Sequence, residues 1–219
     1  MENSKQTLLR ILNAAGIKTA EDDADKLISN FGSLGYLMQC DTYTLREYTG
    51  CNEKTAHILR LTAELSSRRL TDRIKPGRKY SDKEIKQYLA ALFLASAVEQ
   101  VYCVMFDSNG RYIATEFMGD GTVNAAGFMP RKLLDAACRR GASALLIAHN
   151  HPCGSPIPSK DDYVTTDQMR TVVKNSGIEF IEHYVVSGFE IYGILSDFNN
   201  PTPTPDASDV LRVGIDPIL

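Results

Sequence analysis

The chain has 219 residues, 43% of them hydrophobic and 23% charged, with a formal net charge of −3. That length suits one large domain or two small ones, and the composition is that of an ordinary globular protein. No stretch approaches the roughly 18–20 consecutive apolar residues of a membrane helix, the opening "MENSKQTLLRILNAAG" lacks a signal-peptide layout, and the weak acidity gives no global pull toward nucleic acid, so a cytoplasmic protein with no membrane partner is expected.

From the N-terminus, "KQTLLRILNAAGI" has apolar residues at helical spacing with Gly16 as a stop, and "DADKLISNFGSLGYLMQC" repeats the pattern. "TLREYTGCNEKTAHILRLTAELSSRRL" reads as helix, short turn, helix, with the second helix starting near Glu53. Residues 1–70 thus predict a small all-helical domain. The polar, basic Pro-Gly segment 71–80, "TDRIKPGRKY", predicts a linker. Beyond it Ser81 and Glu84 form a capping-box pattern that opens a helix. "QVYCVMFDSNGRYIATEFMG" predicts a hairpin turning at Ser108-Asn109-Gly110. "PRKLLDAACRRGA" predicts a helix, "SALLIAHN" a short buried strand, and "SKDDYVTTDQMRTVVKNSG" a helix ended by Gly177. "IEFIEHYVVSG" and "EIYGIL" predict two further strands. This interleaving over 81–198 predicts an α/β domain with a mixed sheet and flanking helices. The Pro-rich tail 199–219 has little periodicity and predicts an extended or disordered segment.

The chemistry concentrates in "LLIAHNHPCGSPIPSKDD", Leu145 to Asp162. Residues two apart on a strand point to the same side, so His149 and His151 project together while Asn150 faces away. Pro152 keeps His151 extended. Two imidazoles on one face make half a metal site, and a carboxylate commonly completes it; Asp161 and Asp162 follow a Pro-Gly loop that can fold back. Two histidines and one aspartate leave a fourth tetrahedral position open, as in catalytic zinc sites. The same residues admit a plainer reading, because Ser159 and Asp162 also form an S-x-x-D helix cap. The five cysteines (Cys40, Cys51, Cys103, Cys138, Cys153) are odd in number and irregularly spaced, without a C-x-x-C pair. They argue against a disulfide framework and against a cysteine zinc site.

"HNHPCGSPIPSKDD" resembles the JAMM zinc-hydrolase motif, with His149, His151, Ser159 and Asp162 on its positions, and 80–197 resembles the RadC-like branch throughout. The resemblance implies a JAB/MPN, cytidine-deaminase-like fold. It also implies one Zn²⁺ per chain on His149, His151 and Asp162, and a peptide or protein-conjugate substrate. It further implies an upstream glutamate that handles the proton of the attacking water, which the match puts at Glu116, and a Ser159 hydroxyl that steadies the oxyanion. Glu99 is the runner-up for the proton-handling role, but it precedes the first strand and has no motif support. Cys153 stands where serine is usual and Ser155 where aspartate is usual; Cys153 lies two residues from a ligand and reads as a small loop residue. His183, in "IEHYVV", reads as packing or as support behind a ligand.

The N-terminal region resembles a helix-hairpin-helix, whose turn binds phosphate through backbone N–H groups. Gly50 is present in "TGCNEKTA", but Asn52 takes the second glycine position, where its tolerance of left-handed backbone lets the turn survive. Gly50, Lys54, Arg68 and Arg69 are the residues expected to meet nucleic acid; Arg68 and Arg69 open a basic run that also holds Arg73, Lys75, Arg78 and Lys79. The leading reading is a zinc-dependent amide hydrolase. The competitors are a repair or recombination accessory that binds nucleic acid or a partner beside a non-catalytic zinc, a two-histidine, one-carboxylate iron oxygenase, and a zinc deaminase, for which the H-x-E and P-C-x-x-C signatures are missing.

Overall fold

The computed structural model describes residues 4–121, 128–152, 154–198 and 211–212. The N-terminal helices form where apolar residues recur on one face: α1 (Ser4–Ala14) buries Leu8 and Leu12, and α2 (Ala20–Phe31) buries Ala24 and Leu27. The stretch that reads as one continuing pattern splits after α2, because Gly32 takes a left-handed φ of 71° and closes the helix. Ser33 then caps α3 (Leu34–Gln39). Asp41 caps α4 (Thr42–Thr49), and Asn52 caps α5 (Glu53–Thr71).

The segment after α5 lies against the second half of the chain. Gly77 N–H donates to Tyr112 C=O and Tyr112 N–H donates to Arg78 C=O. Ile74 and Tyr80 pack on the core there. Ser81 and Glu84 form the expected capping box at the start of α6 (Asp82–Phe93).

There follow β1 (Gln100–Phe106), β2 (Tyr112–Asp120), α7 (Phe128–Arg140), β3 (Ala144–Asn150), α8 (Lys160–Asn175), β4 (Glu179–Ser187) and β5 (Glu190–Gly193). The last of these strands is shorter than the sequence pattern suggests, since Ile194 opens a short helix, α9 (Ile194–Phe198). A two-residue strand, β6 (Leu211–Arg212), pairs with β5. The rest of the Pro-rich tail and Cys153 lie outside the described residues. Cys51, Cys103 and Cys138 are free thiols, whereas Cys40 is disulfide-bonded, so a bridge forms where the irregular cysteine pattern argues for none.

The sheet runs β2-β1-β3-β4-β5-β6 and is mixed: β3 is antiparallel to β1 and parallel to β4. Every residue of β3 is buried. Its side chains alternate between two cores, as a strand covered on both faces requires. Leu146 and Ala148 meet Leu89 and Phe93 of α6, while Leu145 and Ile147 meet Leu133 of α7 and Met169 of α8. His149 continues the second set, which aims it at the start of α8. None of the described helices is long and apolar enough to cross a membrane.

The N-terminal helices are seated on the turn between β4 and β5. Gln39, fully buried, accepts from Gly188 N–H at 2.7 Å, and Tyr36 donates its hydroxyl hydrogen to Glu190 at 2.6 Å. Gly35 leaves room for Phe189; a Cβ at residue 35 would lie 2.8 Å from that ring.

Candidate metal centre

β3 ends with His149 on the α8 side, and the chain turns at His151, whose N–H donates to Val186 C=O on β4. The loop that follows is pinned by Ser187, whose hydroxyl meets His151 C=O and Gly154 C=O at 2.9 and 2.7 Å. The loop returns the chain to Ser159, the N-cap of α8. The result brings His149, His151 and Asp162 together, with one donor atom from each lying within 4.8 Å of the others. His149 Nε2 stands 3.2 Å from His151 Nε2 and 3.4 Å from Asp162 Oδ1. His151 Nε2 stands 3.9 Å from Asp162 Oδ2.

The tautomers follow from the contacts behind the rings. Thr166 donates its hydroxyl hydrogen to Asp162 C=O at 2.5 Å. Its oxygen therefore accepts from His183 Nδ1–H at 2.6 Å. That leaves His183 Nε2 as an acceptor for His149 Nδ1–H at 2.9 Å. His149 Nε2 is then a bare lone pair. His151 reaches the same state separately, because its Nδ1 faces Ser155 C=O at 2.8 Å and must donate there. Burial favours this neutral form: it lowers the pKa of His149 to about 4 and holds that of His183 well below the ordinary imidazole value.

Two bare nitrogens and a carboxylate oxygen thus converge with no hydrogen between them, an arrangement that repels itself until a cation enters. Tetrahedral bonds of about 2.0–2.1 Å set neighbouring donors about 3.3 Å apart. The separations of 3.2 and 3.4 Å match that spacing. These three residues could therefore hold a metal ion.

Asp162 is both cap and candidate ligand. Its Oδ2 accepts from Ser159 N–H and Ser159 O–H at 2.7 and 2.6 Å, while Oδ1 faces His149. The expected oxyanion role of Ser159 is not the one its geometry carries. A hydroxyl has one hydrogen, and here it is directed at the carboxylate of the candidate ligand Asp162. The supporting role open to His183 is realised through His149, over a sequence separation of 34.

Glu116 requires a correction. It lies on β2 opposite Cys103, which lies opposite Ile147, so it sits one repeat along the strands from the Val101–His149 pair and two strands away from β3. That offset is about 7 Å along the strands and about 10 Å across them. Its carboxylate is held by Arg140 at 2.6 Å and Arg139 at 2.9 Å, and the Arg140 contact keeps its pKa below the usual value. Glu99 is the acid beside the site. Burial raises its pKa, and the nearby Asp162 carboxylate raises it further. Among the described residues its carboxylate has no hydrogen-bond partner. The sequence signal for Glu99 is only its place, immediately before the strand that flanks β3.

The N-terminal hairpin differs from a phosphate cradle. Gly50 is left-handed as expected, but Asn52 is extended (φ −60°, ψ 141°), its side chain accepting from Lys54 N–H. The N–H of Asn52 faces the buried Asp23 carboxylate at 3.4 Å, and Thr55 also donates to that group. An acid of the chain itself therefore already takes the hydrogen bond of that N–H. The Lys54 ammonium is bonded to Ala15 C=O at 3.0 Å. Arg68 and Arg69 are exposed in the last turn of α5, about 22 Å along the helix from Lys54. The four residues expected to meet nucleic acid are spread from the turn before α5 to its last turn.

Residues 80–197 match the RadC-like JAB domain model. Among curated proteins, the chain is 32% identical to a UPF0758 protein of Nitrosococcus oceani over 190 residues, covering 85% of each chain. It is 28% identical to UPF0758 protein HEAR2468 of Herminiimonas arsenicoxydans over 192 residues, 86% of each. A UPF0758 protein of Vibrio cholerae is 31% identical over 169 residues, 77% of this chain and 75% of its own.

Proposed function

The chain belongs to the RadC-like JAB domain family, and from that premise we propose that it is a zinc-dependent hydrolase of the JAMM type, cleaving a peptide or isopeptide bond with one zinc per chain. The observation that carries the reading is the convergence of two bare imidazole nitrogens and one carboxylate oxygen at 3.2 and 3.4 Å, each nitrogen fixed from behind. Three protein donors leave one tetrahedral position open, which suits catalysis more than a closed structural role. Zinc held there supplies a polarised water and a Lewis-acid contact for the scissile carbonyl.

The chain's own residues do the rest. Asp162 is the anionic donor, and Ser159 fixes which of its oxygens faces the histidines. Glu99 takes the proton of the attacking water and returns it to the leaving amine. Its raised pKa suits that exchange better than the lowered pKa of Glu116, whose carboxylate is engaged by two arginines. Glu99→Gln should keep its zinc by elemental analysis and lose roughly 10²–10⁴-fold in turnover on a fluorogenic peptide or protein-conjugate panel. Glu116→Gln should lose little. The reverse pattern would return the role to Glu116, and undiminished zinc in a His149→Ala/His151→Ala variant would remove the metal assignment.

The second reading, an accessory that binds nucleic acid or a partner beside a non-catalytic zinc, draws on the exposed basic run around Arg68 and Arg69. Salt-dependent duplex DNA binding by the full chain, with no turnover on the panel, would favour it.

A further inference from the structure

Asn150 stands between the two histidines in sequence, is fully buried, and points to the opposite side of the sheet. Its amide meets the short irregular segment that joins α6 to β1. Oδ1 accepts from Gln100 N–H at 2.8 Å, and Nδ2 donates to Val98 C=O at 3.2 Å, with Ser96 C=O at 3.5 Å. Val98 C=O and Gln100 N–H are the backbone groups on either side of Glu99. The carbonyl of Glu99 itself accepts from Gly121 N–H at 2.8 Å. The backbone of residue 99 is thus gripped at three successive points, while its carboxylate lies close enough to His151 and Asp162 to interact electrostatically with both.

The chemistry of the gripping group is specific. A primary amide offers an acceptor and a donor on one short planar head, which matches an N–H and a C=O two residues apart. Aspartate would accept from Gln100 but repel Val98 C=O, and leucine, of similar size, would leave both groups without a partner. Glu99 needs such a grip because no helix or strand covers residues 94–99.

We propose that Asn150 is a positioning residue for Glu99: one face of the H-N-H segment carries the metal donors, and the other carries the clamp that sets the proton carrier at the correct distance from them. This rests on the reading of Glu99 as proton carrier. The clamp reaches Glu99 through its backbone, so it aims the carboxylate without consuming its hydrogen-bonding capacity.

The test uses the full chain loaded with zinc for turnover and with cobalt(II) for spectroscopy. Asn150→Ala should keep one metal per chain and lose roughly 10²-fold in turnover on fluorogenic peptides, the scale of an approximately 1 Å misplacement. Joined to Glu99→Gln it should add almost nothing, because both changes act on one group. The pH midpoint of the cobalt visible spectrum, which needs no substrate, should shift downward by about one unit or more in Glu99→Gln, because ionisation at the metal no longer meets a nearby negative charge. It should move in the same direction in Asn150→Ala, and the double variant should match Glu99→Gln. Asn150→Asp, which keeps the Gln100 contact but repels Val98 C=O, should also lose turnover. In the unmodified chain, amide exchange at Gln100 should be slow; exchange as fast as in an open loop overturns the clamp without any variant. A cobalt midpoint unchanged in Asn150→Ala but shifted in Glu99→Gln overturns the clamp alone. A midpoint and turnover unchanged in Glu99→Gln overturn the reading beneath it. Loss of metal in Asn150→Ala assigns the residue to the ligands instead and sinks the proposal.

Discussion

His149 offers Nε2 to the pocket because Nδ1 is already bonded, and the group that bonds it is itself fixed by Thr166. The chain of contacts closes on the backbone of Asp162, so two candidate ligands share one orienting circuit. Such outer contacts typically tune metal affinity by 10–100-fold. Thr166→Val keeps the shape of the side chain and removes the hydroxyl. His183 is then free to flip its tautomer and present a hydrogen to His149. We expect the variant to fold and to bind zinc about tenfold or more weakly in competition with a chelator. Affinity equal to wild type would show that the circuit does not set the tautomer. At this scale the donors themselves were legible, because histidines two apart on a strand must share a side. Thr166 and the grip of Asn150 on residues 98 and 100 were not, since neither partner stands near in sequence.

At the scale of elements, α6 and α8 begin with the same device. Ser81 with Glu84 and Ser159 with Asp162 each close a capping box. Only the second cap also orients a candidate ligand. Loss of an N-cap serine typically costs about 1 kcal/mol. Ser81→Ala and Ser159→Ala should therefore lower the urea midpoint of the metal-free chain by comparable amounts. Ser159→Ala alone should also weaken zinc binding, because Asp162 Oδ2 loses the hydroxyl that holds it. Equal zinc affinity in the two variants would reduce Ser159 to a cap. Both boxes could be read from the sequence because the contact spans three residues. The break at Gly32 inside an apparently continuous helical pattern could not be read with the same certainty, since a glycine within such a pattern is also compatible with an unbroken helix.

Across the whole molecule, two buried neutral imidazoles make stability depend on pH. Unfolded histidines take up protons below about pH 6.5. In the folded, metal-free chain His149 does so only near about 4, and burial likewise holds His183 well below the ordinary imidazole value. The unfolded state therefore binds more protons below that range, and stability must fall as pH falls. Two such groups give a slope of about 2.7 kcal/mol per pH unit once both are protonated in the unfolded chain. Urea unfolding of the metal-free chain should weaken steeply from about pH 6.5 to 5, above the range in which most carboxylates titrate. His183→Gln should remove about one proton from that slope, and an unchanged slope would contradict neutral burial. The N-terminal helices belong to the same scale. They grip Gly188 and Glu190 through Gln39 and Tyr36, and the adjacent Ser187 pins the His151 loop. The helical region is thereby docked one residue away from a support of the candidate metal centre.

Taken alone, the sequence determined the interleaved helices and strands, the turn at Ser108-Asn109-Gly110, both capping boxes and the pairing of His149 with His151. These rest on contacts or periodicities within a few residues, which local backbone geometry enforces. Tertiary structure alone decided which glutamate lies near the candidate metal donors. Glu99 precedes β1 and Glu116 lies on β2, and nothing in their neighbours says which one comes close to His151. That depends on the register of β2 on β1, on Arg139 and Arg140 arriving from α7, and on Asn150 reaching back across 50 residues to the backbone beside Glu99. Register and long-range hydrogen bonds are set by how faces pack, so they become readable only once the chain has closed on itself.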